Sequence, residues 1–175
     1  MSELETARLR LRHWKKSDAP ALYALCLDPE LRRCGVGSYD SVRESRRAIR
    51  LWRKRGDMWA VVRKEDNRLV GLVGLGDMNR HSRYKELEYA IAADCRGQGY
   101  ATEALEAVLA RAFGELDLLA VAAWVRSFNA PCVRVLEKCG FTHEGTLRRH
   151  ARDQGDTLCY SILKEEQRMK AASRK

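Results

Sequence analysis

The stretch 86–104 constrains the fold more than any other part of the sequence. A strand pattern over 85–93 leads into a turn at Gly97 and Gly99, and a helical pattern then covers 98–113. Apolar residues recur at helical spacing in this last segment, at Ala101, Ala104, Leu105, Val108, Leu109 and Ala112. This succession predicts a strand, a glycine turn and an amphipathic helix.

A turn of this kind can bind phosphate, because the first amides of a helix have no intrahelical acceptor and lie at its positive dipole end. Gly97 and Gly99 leave the backbone open, and Arg96 adds a positive charge. The same spacing also fits a plain tight turn between a strand and a helix. The dinucleotide fingerprint is excluded because Thr102 stands where it requires a third glycine or alanine, and no P-loop pattern is present.

The other patterns predict an α+β domain. Helix patterns cover 18–27, 41–55 and 131–138, and strand patterns cover 8–14, 58–63, 68–75, 118–125, 141–147 and 157–163. With the central strand and helix, the order is β-α-α-β-β-β-α-β-α-β-β, a long antiparallel run with one β-α-β crossover. A polar loop is expected over 79–83. We expect one domain over 1–165, followed by a basic tail over 166–175.

Composition limits the class of protein. The 175 residues suffice for one domain with its own core, and no run of apolar residues is long enough to span a membrane. Met1–Glu5 carries acids where a signal peptide carries basic residues, so we expect a cytoplasmic protein. The six cysteines form no C-x-x-C pair, which argues against structural zinc and favours reduced thiols, and no metal is expected.

The net charge of +9 attracts anionic partners, namely nucleic acid, anionic membrane, acidic protein or phosphate-bearing ligands. Helix 41–55 holds much of this charge. It fits docking onto an acidic or RNA-bearing partner such as a ribosome, and it also fits a solvated helix face.

Five segments resemble the GNAT N-acetyltransferases. Arg96–Ala101 (R-G-Q-G-Y-A) is similar to the family's pyrophosphate loop, Q/R-x-x-G-x-G/A. The branch that acetylates ribosomal protein N-termini (RimJ/RimL-like) has segments similar to Thr6–Arg12 (T-x-R-L-x-L-R), T-E-A at 102–104, Asn129–Phe141 and Asp156–Glu166. These segments lie in the family's order and span nearly the whole chain.

The resemblance implies a mixed, mostly antiparallel, twisted sheet of about seven strands with flanking helices. It also implies a cofactor cleft where the strand ending at Ile91 splays from the strand at Leu119–Val125. Acetyl-CoA would be the cosubstrate, with its pantetheine arm paired to the backbone of Tyr89, Ala90 and Ile91. Its pyrophosphate would lie on Arg96, Gly97, Gln98, Gly99, Tyr100, Ala101 and Thr102. Asn129 matches an asparagine that contacts the cofactor, and it also fits a helix cap.

Acetylation of an amine requires a base, because a protonated amine has no lone pair. Glu86 and Glu88 lie two residues apart on a strand and therefore share a face. Repulsion between two close carboxylates raises the pKa of one of them, which suits a base. The same pair also fits two solvated carboxylates, or partners of Arg83 and Lys85.

The proton donor departs from the family pattern. Leu136 stands where many members have a tyrosine, and Cys132 stands where the ribosomal branch often has a serine. A thiol near a helix N-terminus can donate a proton, although a free cysteine is also a common small core residue. A glutamate of that branch is replaced by Ala151, with His143 and His150 as candidate substitutes.

The sequence thus predicts an N-acetyltransferase for a primary amine, first a protein or peptide N-terminal α-amine and second a small amine such as an antibiotic. A polyamine fits poorly because the positive charge of the chain repels it. A non-catalytic CoA- or RNA-binding module on the same scaffold is the rival hypothesis. Both a monomer and a homodimer are compatible with the sequence.

Overall fold

The structure is a computed structural model that describes residues 2–78 and 83–172, so most of the loop expected over 79–83 lies outside the described residues. The helices are α1 (Ala19–Cys26), α2 (Pro29–Arg33), α3 (Val42–Arg55), α4 (Tyr100–Gly114), α5 (Ala130–Cys139) and α6 (Lys164–Ala172). The strands are β1 (Leu4–Glu5), β2 (Leu9–Arg12), β3 (Met58–Arg63), β4 (Leu69–Asp77), β5 (Tyr84–Ile91), β6 (Ala120–Arg126), β7 (Thr142–Leu147) and β8 (Thr157–Leu163).

The chain forms two compact units. The first contains Met1–Leu75 and Glu88–Ala107, and the second contains Gly76–Leu87 and Val108–Lys175. The strands β4 and β5 and the helix α4 each contribute residues to both units. The single domain expected over 1–165 stays a prediction.

In the first unit, β1, β2, β3 and β4 form consecutive antiparallel pairs, and β5 follows β4 in the strand order. Helices α1 and α3 contribute to its core, whose buried members include Trp14, Leu22, Ile49, Met58 and Leu72. Gly71 allows β4 and β5 to approach closely, because a Cβ there would lie 2.3 Å from the carbonyl oxygen of Ala90. A side chain at that position would therefore force the two strands apart.

In the second unit, the strand order is β5, β6, β8, β7. The pair β5–β6 is parallel and joins Tyr84–Glu86 to Ala120–Ala122, whereas β6–β8 and β8–β7 are antiparallel. The cofactor cleft expected between these two strands stays a prediction.

Capping residues set the limits of α3 and α5. The Ser41 hydroxyl accepts a hydrogen bond from the Glu44 amide at 3.2 Å, and α3 ends at Gly56 with a φ of 68°. Helix α5 begins after Asn129 and ends at Gly140 with a φ of 91°. Polar side chains at the start and left-handed glycines at the end are the standard signals for helix limits.

The predicted α+β class and its mostly antiparallel pairing are confirmed, with three additions. The described residues contain eight strands where about seven were expected. The additional strand is the two-residue β1, which is too short to produce a sequence pattern. Helix α2 replaces an expected loop, since the Asp28 carboxylate caps it and Pro29 occupies its first position. Helix α6 forms where a polar tail was expected, and Glu166 accepts a hydrogen bond from the Leu163 amide at 2.8 Å. Among the described helices, none is long and apolar enough to cross a membrane.

Candidate active site

The turn predicted to bind phosphate has an open backbone. Gly97 and Gly99 adopt left-handed φ values of 73° and 82°, which favour glycine. The carbonyl of Gly99 accepts a hydrogen bond from the Glu103 amide at 3.0 Å, so this is the first turn of α4. In general, the amides of the first turn of a helix have no acceptor within that helix. A row of such amides at a positive helix end fits a diphosphate.

The side chain of Arg96 is engaged by protein groups. Its guanidinium forms ion pairs with Asp28 and Glu30 at the start of α2, and its Nε donates to the carbonyl of Ile91 at 3.1 Å. These contacts fix the entry of the glycine turn against the end of β5. A phosphate contact by Arg96 stays a prediction.

A second arginine, which the sequence analysis did not assign to the site, lies against the turn. The Nη1 of Arg8 donates to the carbonyl of Gln98 at 2.9 Å, and its guanidinium lies 4.6 Å from the centroid of the Tyr100 ring. A Cβ added at Gly99 would lie 3.3 Å from the Nη2 of Arg8. Arg8 thus places a positive charge beside the first turn of α4.

Glu103 holds Arg8 in this position. Its carboxylate accepts hydrogen bonds from the Thr6 hydroxyl at 2.5 Å, the Arg8 amide at 2.8 Å and the Arg8 Nε at 2.7 Å. Partial burial raises the pKa of Glu103, but the hydrogen bonds from Thr6 and Arg8 outweigh it and hold the pKa below its ordinary value. Two motifs that are distant in sequence, T-x-R and T-E-A, are therefore parts of one network.

The strand segment predicted to pair with the pantetheine arm ends β5. Ala90 and Ile91 are buried, and Tyr89 is half-buried. The amide after this segment, that of Ala92, donates to the carbonyl of Val70 at 2.8 Å. Backbone pairing between Tyr89–Ile91 and a ligand stays a prediction.

The two candidate bases differ in environment. Glu86 is half-buried in the second unit, and this burial raises the pKa of its carboxyl. Glu88 is exposed in the first unit, where its charge lies close enough to affect Tyr39. Burial, with smaller contributions from Cys26 and Glu88, raises the pKa of Tyr39 to about 12. Of the two carboxylates, Glu86 has the environment expected of a general base.

An aromatic cluster of the first unit was missed by the sequence analysis. The rings of Trp14 and Trp52 lie 5.2 Å apart, and those of Tyr39 and Trp52 lie 6.4 Å apart. Trp14 precedes α1, Tyr39 lies between α2 and α3, and Trp52 lies within α3. Because the three residues are far apart in sequence, no local sequence pattern predicts that their rings are in contact.

Helix α5 brings together two predicted residues. The side-chain oxygen of Asn129 accepts a hydrogen bond from the Cys132 amide at 3.1 Å, so Asn129 is the helix cap that the sequence allowed. Its contact with a cofactor stays a prediction. Cys132 is half-buried in the first turn of α5, and Leu136, one turn later, is fully buried. The position of the family tyrosine therefore belongs to the core here.

The pKa of Tyr160, a phenol on β8, is affected by charges on this helix. Burial raises the pKa of Tyr160, and the charges of Glu137 and Cys132 raise it further, so the hydroxyl stays protonated. The His143 ring lies 5.1 Å from the Tyr160 ring, and both residues occupy paired positions on β7 and β8. Strand alternation alone did not identify Tyr160, because the charges that affect its pKa belong to α5.

The other candidate substitute, His150, is exposed beside the start of β8. Its Nδ1 lies 3.3 Å from the Thr157 hydroxyl, and its ring lies 5.2 Å from the ring of Trp124. Within residues 2–78 and 83–172, no group of three or more histidine, cysteine, aspartate or glutamate side chains is arranged to hold a metal ion.

Comparison with known proteins identifies relatives along most of the chain. YoaA, an uncharacterized N-acetyltransferase of Bacillus subtilis (strain 168), is 32% identical over 92% of this chain and 96% of its own. YdaF of the same organism, provisionally named as a ribosomal N-acetyltransferase, is 34% identical over 58% and 57% of the two chains. A spermidine N(1)-acetyltransferase of Vibrio cholerae is 33% identical over half of each chain.

Solved structures share the fold. A GNAT-family acetyltransferase from Bacillus anthracis superposes with a TM-score of 0.85 at 24% identity, covering 94% of this chain and all of its own. RimL, a ribosomal-protein α-N-acetyltransferase in complex with coenzyme A, superposes with a TM-score of 0.80 at 20% identity, covering 93% and 98% of the two chains. The acetyltransferase (GNAT) domain family matches residues 8–142. The chain belongs to the GNAT acetyltransferase family and is an acetyl-CoA-dependent N-acetyltransferase.

Proposed function

We propose that this enzyme acetylates the N-terminal α-amine of a protein or peptide. The observation that supports its use of acetyl-CoA is the glycine turn at the start of α4, where Gly97 and Gly99 adopt left-handed φ values and Arg8 donates to the carbonyl of Gln98. Acetyl-CoA supplies an acyl group on a thioester, which an amine can attack. The diphosphate would lie on the amides of Tyr100–Thr102, with the positive charge of Arg8 beside them.

Two further contacts would position the acyl group. The backbone of Tyr89, Ala90 and Ile91 would pair with the amides of the pantetheine arm, as one strand pairs with another. Asn129 would contact the cofactor while it caps α5, since a carboxamide carries both an acceptor and a donor group.

Glu86 is the proposed general base. The attacking amine must lose a proton as its bond to the acetyl carbon forms, and a carboxylate with a raised pKa accepts that proton directly or through one water. Glu88, the other candidate, is exposed and lies near Tyr39. It fits a role in attracting a cationic amine better than the role of base.

Cys132 is the proposed proton donor. As the carbon–sulfur bond of the thioester breaks, the departing thiolate takes a proton, and the thiol at the start of α5 can supply it. The thiolate left on Cys132 would be stabilised by the positive end of that helix until solvent returns the proton.

The acceptor is inferred from the relatives. RimL is named for acetylation of a ribosomal protein, and YdaF is provisionally named for a ribosomal substrate. A small amine is the second candidate, favoured by the similarity to a spermidine acetyltransferase. The net charge of +9 opposes a polycation, so we place the protein α-amine first.

The setting that we infer is the cytoplasm. All six cysteines are free thiols, and three of them are buried: Cys26, Cys95 and Cys139. Free thiols persist in reducing compartments, where disulfides are rare.

A thiol-release assay tests the proposal. Acetyl-CoA would be incubated with the enzyme and with unblocked peptides, an aminoglycoside or spermidine. We expect release of coenzyme A above the hydrolysis background with peptides that have a free α-amine. Release only when spermidine is the acceptor would favour the second candidate. If none of the acceptors gave release above the hydrolysis background, the non-catalytic alternative would be supported.

A further inference from the structure

Helix α3 carries a row of exposed cations. Arg43, Arg46, Arg47, Arg50, Arg53 and Lys54 recur at intervals of three and four residues and are all exposed. This spacing places them along one side of the helix. From the first to the last, the row extends about 16 Å at the helical rise of about 1.5 Å per residue. We call these six residues the α3 stripe.

Among the residues that the structure describes, the α3 stripe has no carboxylate counter-ions. Across residues 2–78 and 83–172, none of its side chains forms an ion pair with a carboxylate. The only acid of the helix is Glu44, whose carboxylate accepts a hydrogen bond from the Asp40 amide at 2.8 Å. The positive charge of the stripe is therefore available to a partner.

The arrangement is costly for an isolated helix. Arg43 and Arg47, Arg46 and Arg50, and Arg50 and Lys54 are each four residues apart, where like charges repel. Such pairs destabilise a helix, whereas alternating glutamate and lysine would stabilise it. A polyanion that covers the stripe would remove this repulsion. Binding of such a partner therefore explains the row of cations, whereas helix stability does not.

The chemistry of the stripe identifies the class of partner. The apolar face of α3, with Ile49 fully buried and Trp52 half-buried, packs into the core and is not free to enter a membrane. Leu51 is the large apolar residue that α3 exposes, and its exposed fraction is 44%. One exposed leucine does not supply enough apolar area for the centre of a protein interface. Guanidinium groups in a row instead match the phosphates of a nucleic acid, each of which can accept two hydrogen bonds from one arginine.

We propose that the α3 stripe binds the phosphate backbone of double-stranded RNA. The choice of RNA over DNA rests on the proposed function, in which the acceptor amine belongs to a ribosomal protein. The contacts would be independent of base sequence, because phosphates carry no sequence information. Binding would hold the enzyme on a ribonucleoprotein without any change in the acetyl-transfer site.

Fluorescence anisotropy with a labelled RNA duplex of about 20 base pairs tests this inference. Binding is measured without acetyl-CoA, so a failure of acetyl transfer does not affect the result. We expect log K to fall linearly with log salt concentration. The triple variant Arg46→Gln, Arg47→Gln, Arg50→Gln should reduce that slope by about 3 and weaken binding roughly 100-fold at low salt.

A matched variant separates the stripe from net charge. Arg148→Gln, Arg149→Gln, Arg152→Gln removes three exposed arginines between β7 and β8 and changes the total charge equally. It should bind RNA nearly as tightly as the wild type. Acetylation of a free short peptide should be unchanged in the α3 variant, with an unchanged melting temperature.

Three results would overturn the inference. Equal loss of affinity in both triple variants would show that only net charge matters. Tighter binding to a DNA duplex of the same length would contradict the choice of RNA. Competition by polyglutamate at the same charge concentration would indicate an acidic protein as the partner.

Discussion

Glu103 binds Arg8 at two points, accepting hydrogen bonds from its backbone amide at 2.8 Å and from its Nε at 2.7 Å. The first contact fixes the chain just before β2, and the second orients the guanidinium beside the first turn of α4. One carboxylate thus joins the opening segment of the chain to the turn that we assign to the diphosphate.

Glu103→Gln should destabilise the protein. An amide cannot accept all three hydrogen bonds, and it places an N–H group against Arg8 or Thr6. We expect a loss of about 1–3 kcal/mol in the free energy of unfolding, typical of a partly buried charged acceptor. Denaturant unfolding at neutral pH measures it. Glu65→Gln, at an exposed carboxylate between β3 and β4, is the control and should change stability by less than about 0.5 kcal/mol.

The effect of Glu103→Gln should depend on pH. The hydrogen bonds of Thr6 and Arg8 hold the pKa of Glu103 below its ordinary value of 4.5, so the ionised carboxylate stabilises the folded state. That contribution is complete above the ordinary value and is lost as pH falls through the lowered pKa. The stability difference between wild type and variant should therefore shrink in acid. A difference that grows as pH falls would contradict the lowered pKa.

Gly99→Glu should abolish acetyl-CoA binding while the fold is kept. The new side chain would enter the space beside the Arg8 guanidinium and bring a negative charge to the phosphate site. Isothermal titration calorimetry with acetyl-CoA measures the loss. Gly114→Glu adds the same charge at the exposed end of α4, where a Cβ meets no atom within 4 Å, and should bind normally. Normal binding by the Gly99 variant would refute the phosphate assignment.

Glu86→Gln should lower kcat by about 10²–10⁴-fold with little change in acetyl-CoA affinity, because a base acts in the transition state. Burial raises the pKa of Glu86, and only its ionised form accepts a proton. The kcat/KM of the wild type should therefore fall as pH decreases through that raised value. Glu88→Gln is the matched variant and should stay within a few-fold of wild type. The reverse order of the two variants would make Glu88 the base.

Cys132 can be tested by the order of two variants. If its thiol protonates the departing thiolate, Cys132→Ala should lower kcat by at least about 100-fold, and Cys132→Ser should restore part of the rate. If Cys132 only packs, the alanine variant should keep kcat within a few-fold, and the serine variant should be the worse one because it buries a hydroxyl. If both variants fold and Cys132→Ala has a higher kcat than Cys132→Ser, the proton donor would be water or Tyr160.

The sequence predicted the elements with long patterns and missed those that depend on tertiary contacts. β3 and β8 have the predicted bounds, because their apolar runs are bordered by polar turns. The five-residue α2 is too short to show a helical periodicity. Its N-cap Asp28 and its residue Glu30 form ion pairs with Arg96, which is distant in sequence.

The candidate site was predictable to the same degree. The glycine turn is local, so its residues could be placed on one turn from their spacing, whereas their assignment to the diphosphate came from the resemblance to the GNAT family. The contact between Arg8 and Glu103 depends on how β2 and α4 pack in the first unit, which no spacing encodes. The difference between Glu86 and Glu88 is one of burial, and strand alternation gave both the same face.

The position of the acetyl group on a peptide that offers two kinds of amine shows whether the enzyme acetylates an N-terminal α-amine. A short peptide with a free α-amine and one internal lysine would be incubated with enzyme and acetyl-CoA, and tandem mass spectrometry would locate the modification. We expect acetylation of the α-amine, and no product from the same peptide with its α-amine blocked. Acetylation of the lysine alone, or of spermidine but neither peptide, would contradict it.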